Sequence, residues 1–476
     1  MTFGGRLNGL RWGVPDTPLA LRKTGPDATT SVVFTDPKQV RMTLDMESRV
    51  VHKLMRRILP FVMLLYFVSF LDRVNVGFAA FSMNKAIGLT PAMFGFGGGI
   101  FFVGYFLFEV PSNLILYRVG ARLWIARVMV SWGLVSAACA FATGPRSFYA
   151  LRFLLGAAEA GFFPGVIYYL SQWFPVRQRA VAVAAFMVAA PLSITIGSPI
   201  SGALMELPTI AGLSNWQWLY ILEALPAIVL GVVVLKVMTD RVENAKWLEP
   251  EERAWLAATL QAENNESQSR AGHHQSAWAA LWDPRVLVLA LIYSGTSAGL
   301  YAVGLWAPLI VGQFGYSPLA TGWLNAVPGV VAIAAMIVWA RHSDRTLEHT
   351  WHVAIPCLAA GIGFVWGGIA HSILGVILAL TLMTVGSNAA KPPLWAMPSL
   401  FLSGAGAAAG IAWINSLGNL GGFAGPFLIG WLKDRWGSYA GGLYAVGIML
   451  ALSAAVMLAL SSHTARHARA ARDREA

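Results

Sequence analysis

Two pairs of charged residues lie inside segments that are otherwise apolar. In the stretch LPFVMLLYFVSFLDRVNVGFAAFSM, Asp72 and Arg73 are adjacent, well inside a run long enough to cross a bilayer. A second run, SFYALRFLLGAAEAGFFPGVIYYL, contains Arg152 and Glu159, seven residues apart. This spacing brings the two side chains to within about 20° of one helical face, two turns apart. The two runs therefore offer two cations and two acids to one polar site.

Charges inside a membrane span are costly unless they face protein or water. On insertion scales an isolated Asp or Arg at a helix centre costs roughly 2.5–3.5 kcal/mol, so an adjacent pair costs about 5–7 kcal/mol. One interpretation is structural: Asp72 with Arg152, or Arg73 with Glu159, forms an ion pair that ties two spans together. Apolar packing of equal volume usually stabilises as well or better. We therefore favour an anion site, in which guanidinium groups bind a carboxylate and a buried acid carries protons.

The composition is that of a polytopic membrane protein. Of the 476 residues, 57% are hydrophobic and 12% are charged, and the mean hydropathy is +0.60, whereas soluble proteins are about 25% charged. The net charge is +11, but Lys and Arg lie mostly between apolar runs and in the tails. This distribution reflects the orientation of the spans in the membrane, so we expect no nucleic-acid partner. Two cysteines, both in apolar runs, are too few for a disulfide framework or a metal site. We therefore expect a protein that has no enzymatic activity and binds no cofactor.

The apolar segments predict an all-α membrane protein. At about 20 residues per crossing, roughly twelve spans lie near 58–82, 93–117, 124–143, 147–170, 181–206, 217–238, 285–311, 320–340, 352–370, 373–396, 404–431 and 439–461. The longest polar segment, 239–284, is typical of a charged surface helix followed by a flexible stretch. It separates an N-terminal bundle (58–238) from a C-terminal bundle (285–461). The tails are 1–57, with 1–40 expected to be disordered, and the basic segment 462–476.

The basic residues predict the orientation. Arginines crowd one set of turns, at Arg118, Arg122, Arg127, Arg177, Arg179, Arg341 and Arg345. The opposite turns carry only Lys85, Arg146, Lys433 and Arg435. Because basic residues are enriched on the cytoplasmic side, we expect both termini and the central loop in the cytoplasm. The prediction is a multi-pass monomer in the lipid bilayer of the inner (plasma) membrane.

Several longer motifs resemble a known family. LDRVNVGFA, LRFLLGAAEAGFFPGVIYYLSQWFP, PLWAMPSLFLSGAGAAAGIAWINSLGNLGGFAGP and GWLKDRWGS are similar to the anion:cation symporter family of the major facilitator superfamily, particularly its tartrate, phthalate and aldonate/hexuronate permeases. The similarity extends from about residue 45 to 460. It implies twelve transmembrane helices in two six-helix bundles. It also implies symport of an organic carboxylate anion with protons into the cell, by alternating access.

The resemblance also implies roles for individual residues. The proton-coupling residues are Asp72 and Glu159, and the substrate-binding residues are Arg73, Arg152, Tyr105 and Asn415. Further candidates for substrate contact are Lys391, Asn419 and Ser193. Ser193 lies in the fifth span, where sugar-acid members have an amide. Lys391 either snorkels to the interface or adds a cation for a second carboxylate, and Asn419 either contacts substrate or bridges helices.

Two other expectations concern structure and one concerns function. Glu109 shares a helical face with Tyr105, and we expect a structural role for it, for example in a pair with an arginine of the cytoplasmic turn. The run GFGGGIFFVG lacks the preceding strand of a phosphate-binding loop, so it predicts close helix packing. The alternative function is a membrane sensor that keeps the fold without transport. Intact acidic and basic residues favour the symporter over that alternative.

Overall fold

The computed structural model describes residues 37–270, 277–402 and 404–475, and these residues are helical almost throughout. The helices are α1 (Pro37–Arg57), α2 (Leu59–Ala86), α3 (Pro91–Val119), α4 (Ala121–Ala138), α5 (Pro145–Glu159), α6 (Phe162–Ser171), α7 (Val176–Met187), α8 (Ala189–Leu204), α9 (Asn215–Val237), α10 (Pro250–Arg270), α11 (Ala277–Leu281), α12 (Pro284–Gly312), α13 (Pro318–Thr346), α14 (Thr350–Ile369), α15 (Ile373–Ala389), α16 (Lys391–Ala396), α17 (Gly404–Asn419), α18 (Gly421–Trp436) and α19 (Ala440–Glu475). In the described part, β-structure is limited to one bridge, between Ile210 and Leu213.

Helices dominate because lipid offers no hydrogen-bond partner to the backbone, so a spanning segment must satisfy its own N–H and C=O groups. In the described ranges, eleven helical segments are long and apolar enough to cross a membrane. The remaining predicted span, 404–431, is divided at Leu420 into α17 and α18, of 16 residues each. Each helix is shorter than the 20 or so residues of a full crossing. Because α18 follows α17 directly, the two together cover the predicted span.

The ends of the chain differ in part from expectation. The chain divides into two units between Ser48 and Arg49. The described part of the first unit is the beginning of α1, so 37–40, expected to be disordered, is helical. Residues 1–36 lie outside the described residues, and the expected disorder there stays a prediction. At the other end, α19 continues through the basic tail as far as Glu475.

Three helix breaks coincide with polar residues that the sequence singled out. Glu159 is the last residue of α5, Lys391 is the first of α16, and Asn419 is the last of α17. The first break depends on Gly161, whose φ is +88° and where a Cβ would lie 2.2 Å from Ser112 Oγ. Discontinuous helices at mid-membrane typically form the binding sites of transporters.

Glycines let the helices approach closely where the polar residues meet. A Cβ on Gly77 of α2 would lie 2.7 Å from the carbonyl oxygen of Gly304 in α12. A Cβ on Gly156 of α5 would lie 1.9 Å from the carbonyl oxygen of Phe101 in α3. Within GFGGGIFFVG, a Cβ on Gly95 would lie 2.5 Å from the carbonyl oxygen of Pro426. The close helix packing predicted for this run is therefore confirmed.

The charged helix predicted in the central segment is α10, and it docks on the first half of the second unit. Lys53 donates to Glu252 over 2.7 Å, and the backbone N–H of Val176 donates to Glu263 over 3.0 Å. Partial burial raises the pKa of Glu252, but hydrogen bonds from Lys53 and from the Glu249 N–H outweigh that effect, so its pKa lies below the ordinary value.

Candidate functional site

A small cavity of about 30 Å³ lies between the two halves of the sequence. This is room for roughly two water molecules, so a substrate anion enters only when the surrounding helices move apart. The cavity lining is unusually rich in tyrosine, asparagine and basic side chains for a membrane interior. The lining residues are Tyr66, Phe70, Arg73, Tyr105, Phe163, Met187, Ala190, Tyr293, Leu300, Tyr301, Met336, Asn388, Lys391, Asn415 and Asn419.

Arg73 forms a buried ion pair on the wall of this cavity. Its Nε lies 2.7 Å from Glu159 Oε1, and the same oxygen accepts a hydrogen bond from Ser69 Oγ over 2.5 Å. Arg73 Nη2 and Glu159 Oε2, although buried, have no hydrogen-bond partner among the described residues. The pair therefore uses one edge of each group and leaves the guanidinium with a free donor.

Arg73 also links the two halves of the chain. Its Nη1 donates to the hydroxyl oxygen of Tyr301 over 3.0 Å, across 228 residues of sequence. The guanidinium carbon lies 5.1 Å from the ring centroid of Tyr105 and 5.5 Å from that of Phe101, within the range of cation–π attraction. Arg73 lies one turn before Gly77 and Tyr301 one turn before Gly304, so the close approach of α2 and α12 accounts for their contact.

Asp72 faces away from the cavity, although it is adjacent to Arg73. Trp132 Nε1 donates to its Oδ2 over 2.9 Å, and Ser136 Oγ donates to its Oδ1 over 2.9 Å. Both donors belong to α4, so Asp72 bridges helices inside the N-terminal half. Of the two ion pairs that the structural interpretation named, Arg73 with Glu159 is present. Asp72 with Arg152 is absent from the described contacts, and the neutral donors of α4 bind Asp72 instead.

Arg152 does not line the cavity either. Its guanidinium carbon lies 5.2 Å from the Phe101 ring, so the same ring contacts both arginines. Its Nε and Nη1 have no protein hydrogen-bond partner in the part of the chain that the structure describes. Of the two expected cationic contacts to substrate, this conformation exposes Arg73 alone to the cavity.

Glu109 joins two helices, in line with the expected structural role, but its partners among the described residues are not arginines of the cytoplasmic turn. It is 1% exposed and accepts hydrogen bonds from Asn415 Nδ2 over 2.5 Å and from Ser416 Oγ. Helix α3 is thus joined to α17, across the two halves of the sequence. Asn415 lines the cavity and holds this acid at the same time, so a ligand at Asn415 would compete with the contact between the halves.

The remaining candidates separate into two groups. Lys391 and Asn419 both line the cavity, so Lys391 does not extend to the membrane interface as snorkelling would require. Ser193 is fully buried and donates to the carbonyl oxygen of Phe67 over 2.8 Å. It does not line the cavity and joins α8 to α2, so its expected contact with substrate is not supported.

Sequence reasoning missed four polar residues of the cavity and one buried acid. The four are Tyr66, Tyr293, Tyr301 and Asn388. Helical spacing alone indicates two of them, because Tyr66 lies two turns before Arg73 and Asn388 lies one turn before Lys391. Glu223 of α9 is 3% exposed and accepts from Ser201 Oγ over 2.6 Å. Among the described residues no group of His, Cys, Asp and Glu is arranged to hold a metal ion.

Comparison with known proteins gives one family. The model of the Major Facilitator Superfamily matches residues 62–426. A protein of Agrobacterium vitis named "Putative tartrate transporter" is 60% identical over 420 residues, which cover 88% of this chain and 96% of that protein. A "Quinolone resistance transporter" of Acinetobacter baumannii is 40% identical, over 86% of this chain and 94% of its own length.

Solved structures agree on the fold. A bacterial homologue of the human lysosomal transporter Spinster, in an inward-facing and occupied conformation, superposes with a TM-score of 0.68. The match covers 85% of this chain and 96% of that structure, at 14% sequence identity. At this identity the likeness concerns the arrangement of helices alone.

Proposed function

The chain belongs to the Major Facilitator Superfamily, and from that premise we propose that it takes up an organic carboxylate anion together with one or more protons. It is a multi-pass membrane transport protein with the fold of that superfamily and is not an enzyme. The relatives named for tartrate support an organic anion as the cargo. The proposal includes a monomer in the plasma membrane. The distribution of basic residues supports placing both termini in the cytoplasm.

The buried pair of Arg73 and Glu159 carries the proposal. In the structure Glu159 accepts from the Nε of Arg73, so an ionised Glu159 competes with a substrate anion for this cation. A proton on Glu159 removes the charge that competes for Arg73. A substrate carboxylate then binds the guanidinium, including the free Nη2 donor, as planar Arg–carboxylate pairs do. Proton and anion therefore bind together, which is the requirement for symport.

Release reverses these steps. When the cavity faces the cytoplasm, the proton leaves Glu159, and the carboxylate competes again for Arg73 and displaces the substrate anion. Tyr105 and Asn415 complete the substrate site from α3 and α17. Asp72 is the second proton carrier; its position among donors of α4 couples its protonation to helix packing in the N-terminal half.

Uptake into proteoliposomes tests the proposal. The panel consists of labelled tartrate, phthalate, benzoate, a sugar acid and a quinolone, with and without an outside-acid pH gradient. We expect at least one carboxylate to accumulate under the gradient and a protonophore to abolish the accumulation. The quinolone is included because the relative from Acinetobacter baumannii is named for quinolone resistance.

Each negative outcome has a separate meaning. Transport of no member of the panel would favour the non-transporting sensor. Accumulation that survives the protonophore would retain carboxylate transport but contradict proton coupling. Transport of the quinolone alone would contradict an anion as the cargo.

Tyr301→Phe tests how Arg73 is oriented from the C-terminal half. The substitution removes the hydroxyl oxygen that accepts from Arg73 Nη1 and changes nothing else in the side chain. A hydrogen bond from an ionised donor contributes about 1.5–3 kcal/mol. Only the part of this energy that orients Arg73 for substrate affects binding, so we expect KM for the transported carboxylate to rise about 2- to 10-fold, with a smaller change in maximal rate. Tyr316→Phe, at an exposed tyrosine, is the matched control. An unchanged KM in Tyr301→Phe would show that the contact does not orient Arg73 for substrate.

A further inference from the structure

We infer that Lys391 binds a second carboxylate of the substrate, so that the transporter is selective for dicarboxylates. The inference rests on the proposed function, since it concerns the same cavity. It assigns one substrate carboxylate to Arg73 of the N-terminal half and the other to Lys391 of the C-terminal half.

The local structure directs Lys391 into the cavity. It follows the break after α15 and begins α16, where Pro392 and Pro393 occupy the next two positions. Proline is well suited to a first helical turn because the N–H groups there have no intrahelical partner. Asn388, one turn earlier, lines the same cavity. Helix α16 packs against α12, α13, α14 and α15, so Lys391 is surrounded by protein and not by lipid.

Lys391 has no acidic partner among the described residues of its own half. Between residues 285 and 461 the sequence contains three acidic residues, Asp344, Glu348 and Asp434. Asp344 lies in the last turn of α13, Glu348 is paired with His352 over 2.8 Å, and Asp434 of α18 accepts a hydrogen bond from Thr90 Oγ1 over 2.8 Å. No salt bridge or hydrogen bond to Lys391 is found in the described ranges, whereas Arg73, the other cation of the cavity, is paired with Glu159. A partly buried cation without a partner is costly, and a ligand anion would remove that cost.

The charge count of the cavity favours a dianion. With Glu159 ionised, Arg73 and Glu159 cancel, and Lys391 leaves a charge of about +1 on the lining. Both cations line the same cavity, so they repel each other. When Glu159 takes up a proton, the uncompensated charge becomes about +2. A dicarboxylate neutralises both cations, whereas a monocarboxylate leaves one of them unpaired.

A matched pair of ligands tests the inference. Tartrate and its monoamide have the same skeleton, but the monoamide carries one carboxylate instead of two. Binding to purified full-length protein is measured for wild type, Lys391→Met, Lys391→Arg and Lys236→Met. Lys236 is an exposed lysine at the end of α9, so its replacement by Met is the control for loss of one positive charge.

We expect wild type to bind tartrate about 10- to 100-fold more tightly than the monoamide, the range for a charge-assisted contact. In Lys391→Met the difference should fall to within about 3-fold, through weaker tartrate binding at nearly unchanged affinity for the monoamide. Lys391→Arg should retain the preference because it keeps the charge, and Lys236→Met should match wild type. Monoamide binding by Lys391→Met is the internal measure of correct folding.

Two results would overturn the inference: equal binding of the two ligands by wild type, or an undiminished preference for tartrate in Lys391→Met. Loss of both ligands in monodisperse Lys391→Met would also overturn it, because Lys391 would then support the whole site. If wild type transports a monocarboxylate and binds neither tartrate ligand, the proposed function stands and the dicarboxylate inference falls. If wild type binds and transports no carboxylate, the proposed function itself fails.

Discussion

Arg73→Lys is expected to weaken substrate binding by about 10- to 100-fold while the protein remains folded, because charge-assisted hydrogen bonds contribute about 1.5–3 kcal/mol. The substitution keeps the positive charge but removes the planar fork that binds a carboxylate through two donors. In the structure that fork reaches Glu159 through Nε and Tyr301 through Nη1, with Nη2 free. An ammonium group cannot span these positions together.

Binding of the transported carboxylate to purified protein, with thermal unfolding measured in parallel, checks this prediction. Arg118→Lys, at an exposed arginine near the end of α3, is the matched control. Wild-type affinity in Arg73→Lys would remove the basis for an anion site at this position. Arg152→Lys belongs in the same series: a loss as large as that of Arg73→Lys would mean that Arg152 reaches substrate in another conformation of the cycle.

Glu159→Gln is expected to separate exchange from accumulation. The amide resembles the protonated acid in size and charge, so Arg73 remains available to substrate. We expect counterflow exchange at a near wild-type rate with little dependence on pH. Accumulation driven by a pH gradient should be lost, because a side chain that cannot release its proton cannot couple the proton gradient to the cycle.

Both assays are made on one proteoliposome preparation, so that differences in protein content cancel. Glu251→Gln, at an exposed glutamate of α10, is the control and should behave as wild type in both. Wild-type accumulation by Glu159→Gln would contradict its coupling role, and the proton path would then be sought at Asp72. Loss of exchange together with accumulation, in folded protein, would mean that Glu159 contributes to substrate binding itself.

Much of the fold follows from local properties of the chain. Hydropathy over about 20 residues identifies a membrane span because the thickness of the bilayer sets the length, and the helical state follows because lipid cannot bond the backbone. The charged helix α10 and the close packing of the glycine run in α3 could likewise be predicted from the residues of one segment. The break at Leu420 was not predicted, because composition alone shows no interruption in that segment.

The candidate site was predictable only in part. Arg73, Tyr105, Asn415, Lys391 and Asn419 line one cavity, as polar residues inside apolar spans suggested. The adjacency of Asp72 and Arg73 suggested a shared environment, yet neighbouring residues on a helix point about 100° apart. Asp72 therefore faces α4 while Arg73 faces the cavity.

By itself the sequence determined the membrane class, the approximate spans and the presence of two cations and two acids in the interior. Tertiary structure decided their partners. Arg73 meets Glu159 and Tyr301, Glu109 meets Asn415 and Ser416, and these contacts join residues far apart in the chain. Such pairings depend on how each helix is rotated and where it breaks, as at Gly161 and before Lys391. Hydropathy and spacing describe one helix at a time, so they cannot specify which face meets which neighbour.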